Sequence, residues 1–100
     1  MTLKMLIAAV LAAAPLASSA QDSPAARSLA ATCANCHGTE GRSVTKEVTT
    51  LAGLPKDDIV AKMRAFREGS RPATVMHQIA KGYSDQQIEL IADHFARRPR

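Results

Sequence analysis

The chain has 100 residues, 46% of them hydrophobic but only 3% aromatic, with no tryptophan and a formal charge of +4. That length allows one small domain and no more. The positive charge is not laid out as a basic stripe interleaved with aromatics, since these are only Phe66, Tyr83 and Phe95, so a nucleic-acid partner finds no support.

The chain opens on an export pattern. Lys4 is a positive n-region, Met5 to Leu16 are a short apolar run broken by Pro15, and Ser18-Ser19-Ala20 supplies small residues for cleavage. The run is shorter than the roughly 20 residues a membrane-spanning helix needs. The expectation is therefore a signal peptide over residues 1–20, cut after Ala20, and a periplasmic domain over residues 21–100 with no membrane span. Loss of Lys4 takes the 13 basic residues to 12 against 9 acidic, a net +3.

Ser23-Pro24 reads as an N-cap followed by proline at the first helical position. Ala26, Leu29, Ala30 and Cys33 then recur at helical spacing, which predicts a helix from Pro24 to about Asn35 whose alanines admit a close neighbour.

That helix carries the chemistry of the chain, Cys33-Ala34-Asn35-Cys36-His37. Thiols at i and i+3 face the same way on a helical turn and reach the two vinyl groups of one porphyrin, while the following histidine can ligate the iron. Cys33 and Cys36 are thus candidate covalent anchors for one haem c, and His37 a candidate axial ligand. A closed zinc site wants four Cys or His ligands, and beyond the motif only His77 and His94 remain, far along the chain and not at finger spacing. A redox dithiol stays open, though nothing nearby reads as the βαβ context it favours. Burying a porphyrin removes several hundred Å² of apolar surface from water, on the order of 10 kcal/mol at about 25 cal/mol per Å². For so small a domain that predicts a largely unfolded haem-free chain. Two ionised propionates would bring the net charge near +1.

Gly38 to Pro55 is polar and threonine-rich, with Gly38, Gly41 and Gly53, and reads as a loop. Val44, Val48, Leu51 and Leu54 are expected to turn inward. Lys56 to Glu68 reads as a helix with Ile59, Val60, Met63 and Phe66 on one stripe, acidic Asp57 and Asp58 in its first turn and Gly69 as its stop. Pro72 disfavours helix at Arg71, so a short helical turn is expected over about Thr74 to Ala80. Ser84-Asp85-Gln86-Gln87 is a capping-box pattern, and Ile88, Ile91, Ala92 and Phe95 follow on one face to about Ala96 or Arg97. This last helix is expected to pack across the first. Arg97, Arg98 and Arg100 suit the negative end of its dipole.

Candidates for a second axial ligand are Met63, Met76, His77 and His94. Met63 lies mid-stripe and reads as core filling. His94 lies off the stripe by roughly a third of a turn and reads as solvated. Met76 leads because it stands between two helices, where a thioether can be aimed at a fixed iron, and His77 remains its competitor. Lys46, Lys56, Lys62, Arg64, Arg67, Arg71 and Lys81 read as a solvated face sooner than a docking surface, because Asp57, Asp58 and Glu68 are interspersed.

Cys33 to Gly38, Leu51-Ala52-Gly53, Gly69 to Met76, Gly82-Tyr83-Ser84-Asp85 and Ile91 to Ala96 together resemble class I cytochromes c. Within that family the chain is similar to the cytochrome c4 and c553 group and to the haem subunit of flavocytochrome c sulfide dehydrogenase. The resemblance covers nearly all of residues 21–100. It implies an all-α fold of three main helices plus a short helical turn wrapped round one covalently bound haem, with His37 and Met76 as axial ligands. It also implies a partner, the FAD flavoprotein subunit of a sulfide dehydrogenase in a heterodimer, and other redox proteins as acceptors. The chain departs from the resemblance in two ways. It has one attachment motif where some members have two, and it lacks the loop proline whose carbonyl orients the proximal histidine, which leaves the group that orients His37 unnamed.

Histidine with a thioether favours ferrous iron over bis-imidazole ligation, so a relatively high potential is expected. A centre filled in both oxidation states passes electrons and does no bond chemistry. The expected function is electron transfer within the sulfide dehydrogenase, no catalytic residue being identified on this chain. The alternative is a freely diffusing periplasmic carrier, and a third reading, a ligand-binding haem sensor, requires Met76 to be off the iron.

Overall fold

The computed structural model describes residues 23–100, and among these every regular element is helical. The expected export segment over residues 1–20 lies outside the described residues. Helix α1 (Pro24–His37) starts as its sequence asks: Ser23 is extended, its Oγ accepts the Ala26 amide at 3.1 Å, and Pro24 occupies the first turn. It runs past the expected end at Asn35 and through the whole cysteine motif, because the ladder is unbroken until Gly38. There φ reaches +91° and the Gly38 amide bonds to the Ala34 carbonyl at 3.0 Å. A Cβ on Gly38 would stand 2.0 Å from the Arg42 carbonyl oxygen, so the stop needs glycine for both its dihedral and its close approach.

A 3₁₀ turn (Thr39–Gly41), not anticipated in the loop, follows at once, with Glu40 at φ +58°. Gly41 is buried against Phe95, whose ring lies 2.6 Å from where a Cβ would be. Of the four loop residues expected to turn inward, Leu51 and Leu54 pack on the core and Val48 is half-buried. Val44, however, is 94% exposed. Ser43 Oγ accepts the Thr45 amide at 3.2 Å and donates to the Thr45 carbonyl at 2.9 Å, a tight turn that throws the intervening valine outward.

Helix α2 (Lys56–Glu68) buries Ile59, Val60 and Met63, and the left-handed Gly69 ends it by donating to the Ala65 and Phe66 carbonyls. Helix α3 (Met76–Lys81) starts later than expected from Thr74, because Val75 still has φ −127° and serves as the flanking residue. Helix α4 (Asp85–Ala96) has the expected capping box: Ser84 Oγ accepts the Gln87 amide at 3.1 Å and Gln87 Oε1 accepts the Ser84 amide at 3.0 Å.

One core joins these elements, formed by Ala30, Ile59, Val60, Met63, Ala80, Ile88, Ile91, Ala92 and Phe95. Helix α1 packs across α4 as expected, and α2 packs on both α3 and α4. The hydroxyls of Thr32 and Tyr83 meet at 2.8 Å, tying α1 to the residue before the α4 cap. The Gly53 amide donates to the Phe95 carbonyl at 3.0 Å and anchors the end of the loop to α4. Outside the core, α2 and α4 are clasped by charge: Lys56 meets Glu89 at 3.2 Å, Arg64 reaches Asp85 and Glu89 at 3.6 Å each, and Arg67 binds Asp85. Three of the seven cations considered for a docking face are therefore turned to carboxylates of α4. No helix among the described residues is long and apolar enough to cross a membrane.

Candidate functional site

Cys33 and Cys36 lie one turn apart on α1, Cys33 half-buried and Cys36 exposed, with no disulfide joining them. Burial pushes the Cys33 thiol above its ordinary range, with the Thr32 side chain pulling partly back, so it is a protonated thiol at neutral pH. Cys36 stands open beside the helix, while Cys33 sits at the margin of the core. Among the described residues, no three His, Cys, Asp or Glu side chains converge as a metal cage.

His37 ends the same helix, where Gly38 turns the chain sharply away. Its Nδ1 lies 2.6 Å from the Thr49 carbonyl oxygen, across twelve residues of loop. A carbonyl can only accept, so the ring proton sits on Nδ1 and the lone pair is on Nε2. That is the tautomer a metal-ligating imidazole needs, held by the kind of backbone partner that fixes its ring plane. The Thr49 carbonyl is the partner of His37 that the sequence left unnamed, offered by a threonine where the related pattern has a proline. Side-chain identity carries no signal for a backbone acceptor, which is why only the fold reveals it.

The other candidates separate by burial. Met63 is 7% exposed within the core, as its stripe position implies. Met76, first residue of α3, is half-buried and packs against the same core as Cys33, so the structure brings one thiol and this thioether to the edge of one apolar cluster. Leu29, Leu51, Leu54, Phe66 and Tyr83 border it too. His77 is half-buried, its Nδ1 enclosed with no hydrogen-bond partner. His94 corrects its reading as a solvated side chain, being only 8% exposed. His94 lines a groove of about 290 Å³ between α1 and α4, together with Ala30, Ala31, Ala34 and Phe95 among others. Arg98 reaches back to it, Nε donating to the His94 carbonyl at 3.2 Å and Nη2 lying 3.4 Å from Nδ1.

Two thiols on one helix turn, an imidazole with its free nitrogen selected, a thioether at the same apolar cluster and a partly covered ring of aliphatic side chains fit a covalently attached haem. An all-helical domain with this donor set is a c-type haem protein. The family model for cytochrome c matches residues 24–96, and the chain belongs to the cytochrome c family. As a member it carries haem c and transfers electrons.

Three relatives indicate the range of similar proteins. The chain is 40% identical over 67 residues to the cytochrome subunit of sulfide dehydrogenase of Chlorobaculum tepidum, a match covering 67% of this chain and 60% of that protein. It is 34% identical to the thiosulfate dehydrogenase electron acceptor of Stutzerimonas stutzeri, over 64% of this chain and 31% of that one. It is 31% identical to cytochrome c-554(548) of Halomonas halodenitrificans, over 77% of this chain and 96% of that one. The chain thus spans less than two thirds of the first two relatives and nearly all of the third.

Proposed function

We propose that this chain is the periplasmic haem subunit of a sulfide dehydrogenase, accepting electrons one at a time from an FAD flavoprotein partner and releasing them to other redox proteins. Cys33 and Cys36 would carry the thioether links of the haem, and His37 and Met76 would hold its iron. The observation that carries the assignment is the 2.6 Å contact of His37 Nδ1 with the Thr49 carbonyl, which leaves Nε2 as the ligating nitrogen. The 40% identity to a cytochrome subunit of sulfide dehydrogenase supports the partner.

Bound in this way, haem c supplies a one-electron couple whose potential follows its ligands. The remaining parts belong to the protein. Thr49 holds the His37 ring in one plane. Met76 offers a soft sulfur that favours the ferrous state, with no proton to lose or gain. Leu51, Leu54 and Phe66 pack against the core and keep water from the cluster. With no acid, base or nucleophile in this set, oxidation of sulfide belongs to the partner.

A freely diffusing carrier is the second reading, supported by the match that covers 96% of cytochrome c-554(548), a protein about the size of this chain. Gentle purification from the native periplasm, followed by oxidised and reduced visible spectra, separates the two. Haem bands with flavin absorbance and a weak ferric band in the far red are expected of the sulfide dehydrogenase subunit. The same haem bands without flavin indicate the carrier, and a preparation with no covalent haem defeats both.

A further inference from the structure

The Thr49 carbonyl belongs to a stretch without helix or strand, and Thr49 itself is exposed, so something else must hold it in place. The loop is closed at a neck. The Gly41 carbonyl accepts the Leu51 amide at 2.8 Å and the Ala52 amide at 3.2 Å, with Gly41 seated on Phe95. One step outward, the Ser43 amide donates to Thr50 Oγ1 at 3.1 Å. Beyond that the strap is a turn closed on itself by Ser43 Oγ and Thr45, with Val44 in solvent. The Thr50 hydroxyl is therefore the tie adjacent to Thr49, joining the returning strand of the loop to the outgoing one.

We propose that Thr50 is a positioning residue for the proximal imidazole: by accepting the Ser43 amide, its hydroxyl closes the neck of the 42–50 loop and fixes the Thr49 carbonyl against His37 Nδ1. This rests on His37 being an axial ligand. A proline at position 49 would restrict the backbone by its own ring. Threonine leaves that backbone freer, and a side-chain hydrogen bond one residue on takes over the restraint. A firm Nδ1–H to carbonyl bond gives the imidazole more anionic character and makes it a stronger donor to ferric iron. Loosening the carbonyl therefore raises the reduction potential, while losing a merely structural bond lowers stability without moving the potential.

The test uses the holoprotein. Thr50→Val keeps the side-chain shape and removes the acceptor, Thr50→Ser keeps the acceptor, and Ser43→Ala keeps the donating amide while deleting the hydroxyl of the turn. The expected result is an upward shift of potential and faster solvent exchange of the His37 Nδ1 proton in Thr50→Val, with Thr50→Ser and Ser43→Ala matching the parent in both. A Thr50→Val protein unchanged in potential and exchange, even if less stable, overturns the proposal. So does an equal rise in Thr50→Ser. The underlying ligation is checked separately: His37→Ala must abolish the low-spin spectrum of the parent, and if it does not, the axial assignment fails whatever Thr50 does.

Discussion

The side chain of Met76 is one of two sulfurs that could have faced the iron, and its neighbour His77 has an enclosed Nδ1 with no partner. Leaving such a nitrogen unpaired costs about 1–3 kcal/mol, so His77 gains if it finds a better contact. Replacing Met76 by alanine removes the soft sulfur, and the far-red ferric band should vanish with a fall in potential that is some fraction of the about 0.8 V that axial ligands span. Carbon monoxide binding by the reduced variant, absent in the parent, would show an opened position; a low-spin spectrum without carbon monoxide binding would show His77 in its place. At Gly38 the constraint is steric. A Cβ 2.0 Å from the Arg42 carbonyl, added at φ +91°, should destabilise Gly38→Ala by about 2–3 kcal/mol in denaturant titration and reduce haem incorporation with it.

The helices are held at their ends and by charge across them. Loss of the Ser84 hydroxyl breaks one half of the α4 capping box, and Ser84→Ala should cost about 1 kcal/mol by thermal or denaturant unfolding. Next to it the Arg67 guanidinium, by hydrogen bond and charge, holds the Asp85 carboxyl below its ordinary range. A depressed pKa means the stabilisation is present above the unfolded value, near pH 4, and is lost as pH falls through the folded one. Asp85→Asn should therefore lower stability at pH 7 and converge on the parent in acid. Asp85 is exposed and its ion pair screened, so the neutral-pH difference should shrink in high salt as well.

At the scale of the whole fold the contiguous core is small, nine buried side chains among the described residues, of which three are alanine. Its partly buried margin includes Cys33, Leu51, Leu54, Phe66 and Met76, the residues that meet the porphyrin in the proposed arrangement. Cys33→Ala with Cys36→Ala should leave the chain without covalent haem, with far-ultraviolet circular dichroism showing most helix lost. Retention of the full helical signal would mean the polypeptide core suffices alone. A diffusing carrier should lose rate with its partner as salt rises, whereas a permanent subunit buries an interface of apolar character and should not. The clasp of Lys56, Arg64 and Arg67 onto Asp85 and Glu89 leaves less free charge on that face than the residue list suggests.

Local chemistry written in the chain carried far: Ser23-Pro24, Ser84 with Gln87 and Gly69 mark helix ends by dihedral and capping, and Cys33 to His37 need only one helical turn to align. Those effects act within about four residues, so they are legible without a fold. The partner of His37, the burial of His94 and the exposure of Val44 were not legible. The first two depend on what arrives from a distance, the Thr49 carbonyl returning across a loop and α1 closing against the His94 face of α4, whereas Val44 is aimed outward by a local Ser43 turn that hydropathy alone does not show. Periodicity measures a residue's angle on its own element, while contact with a second element is settled by how the two close upon each other.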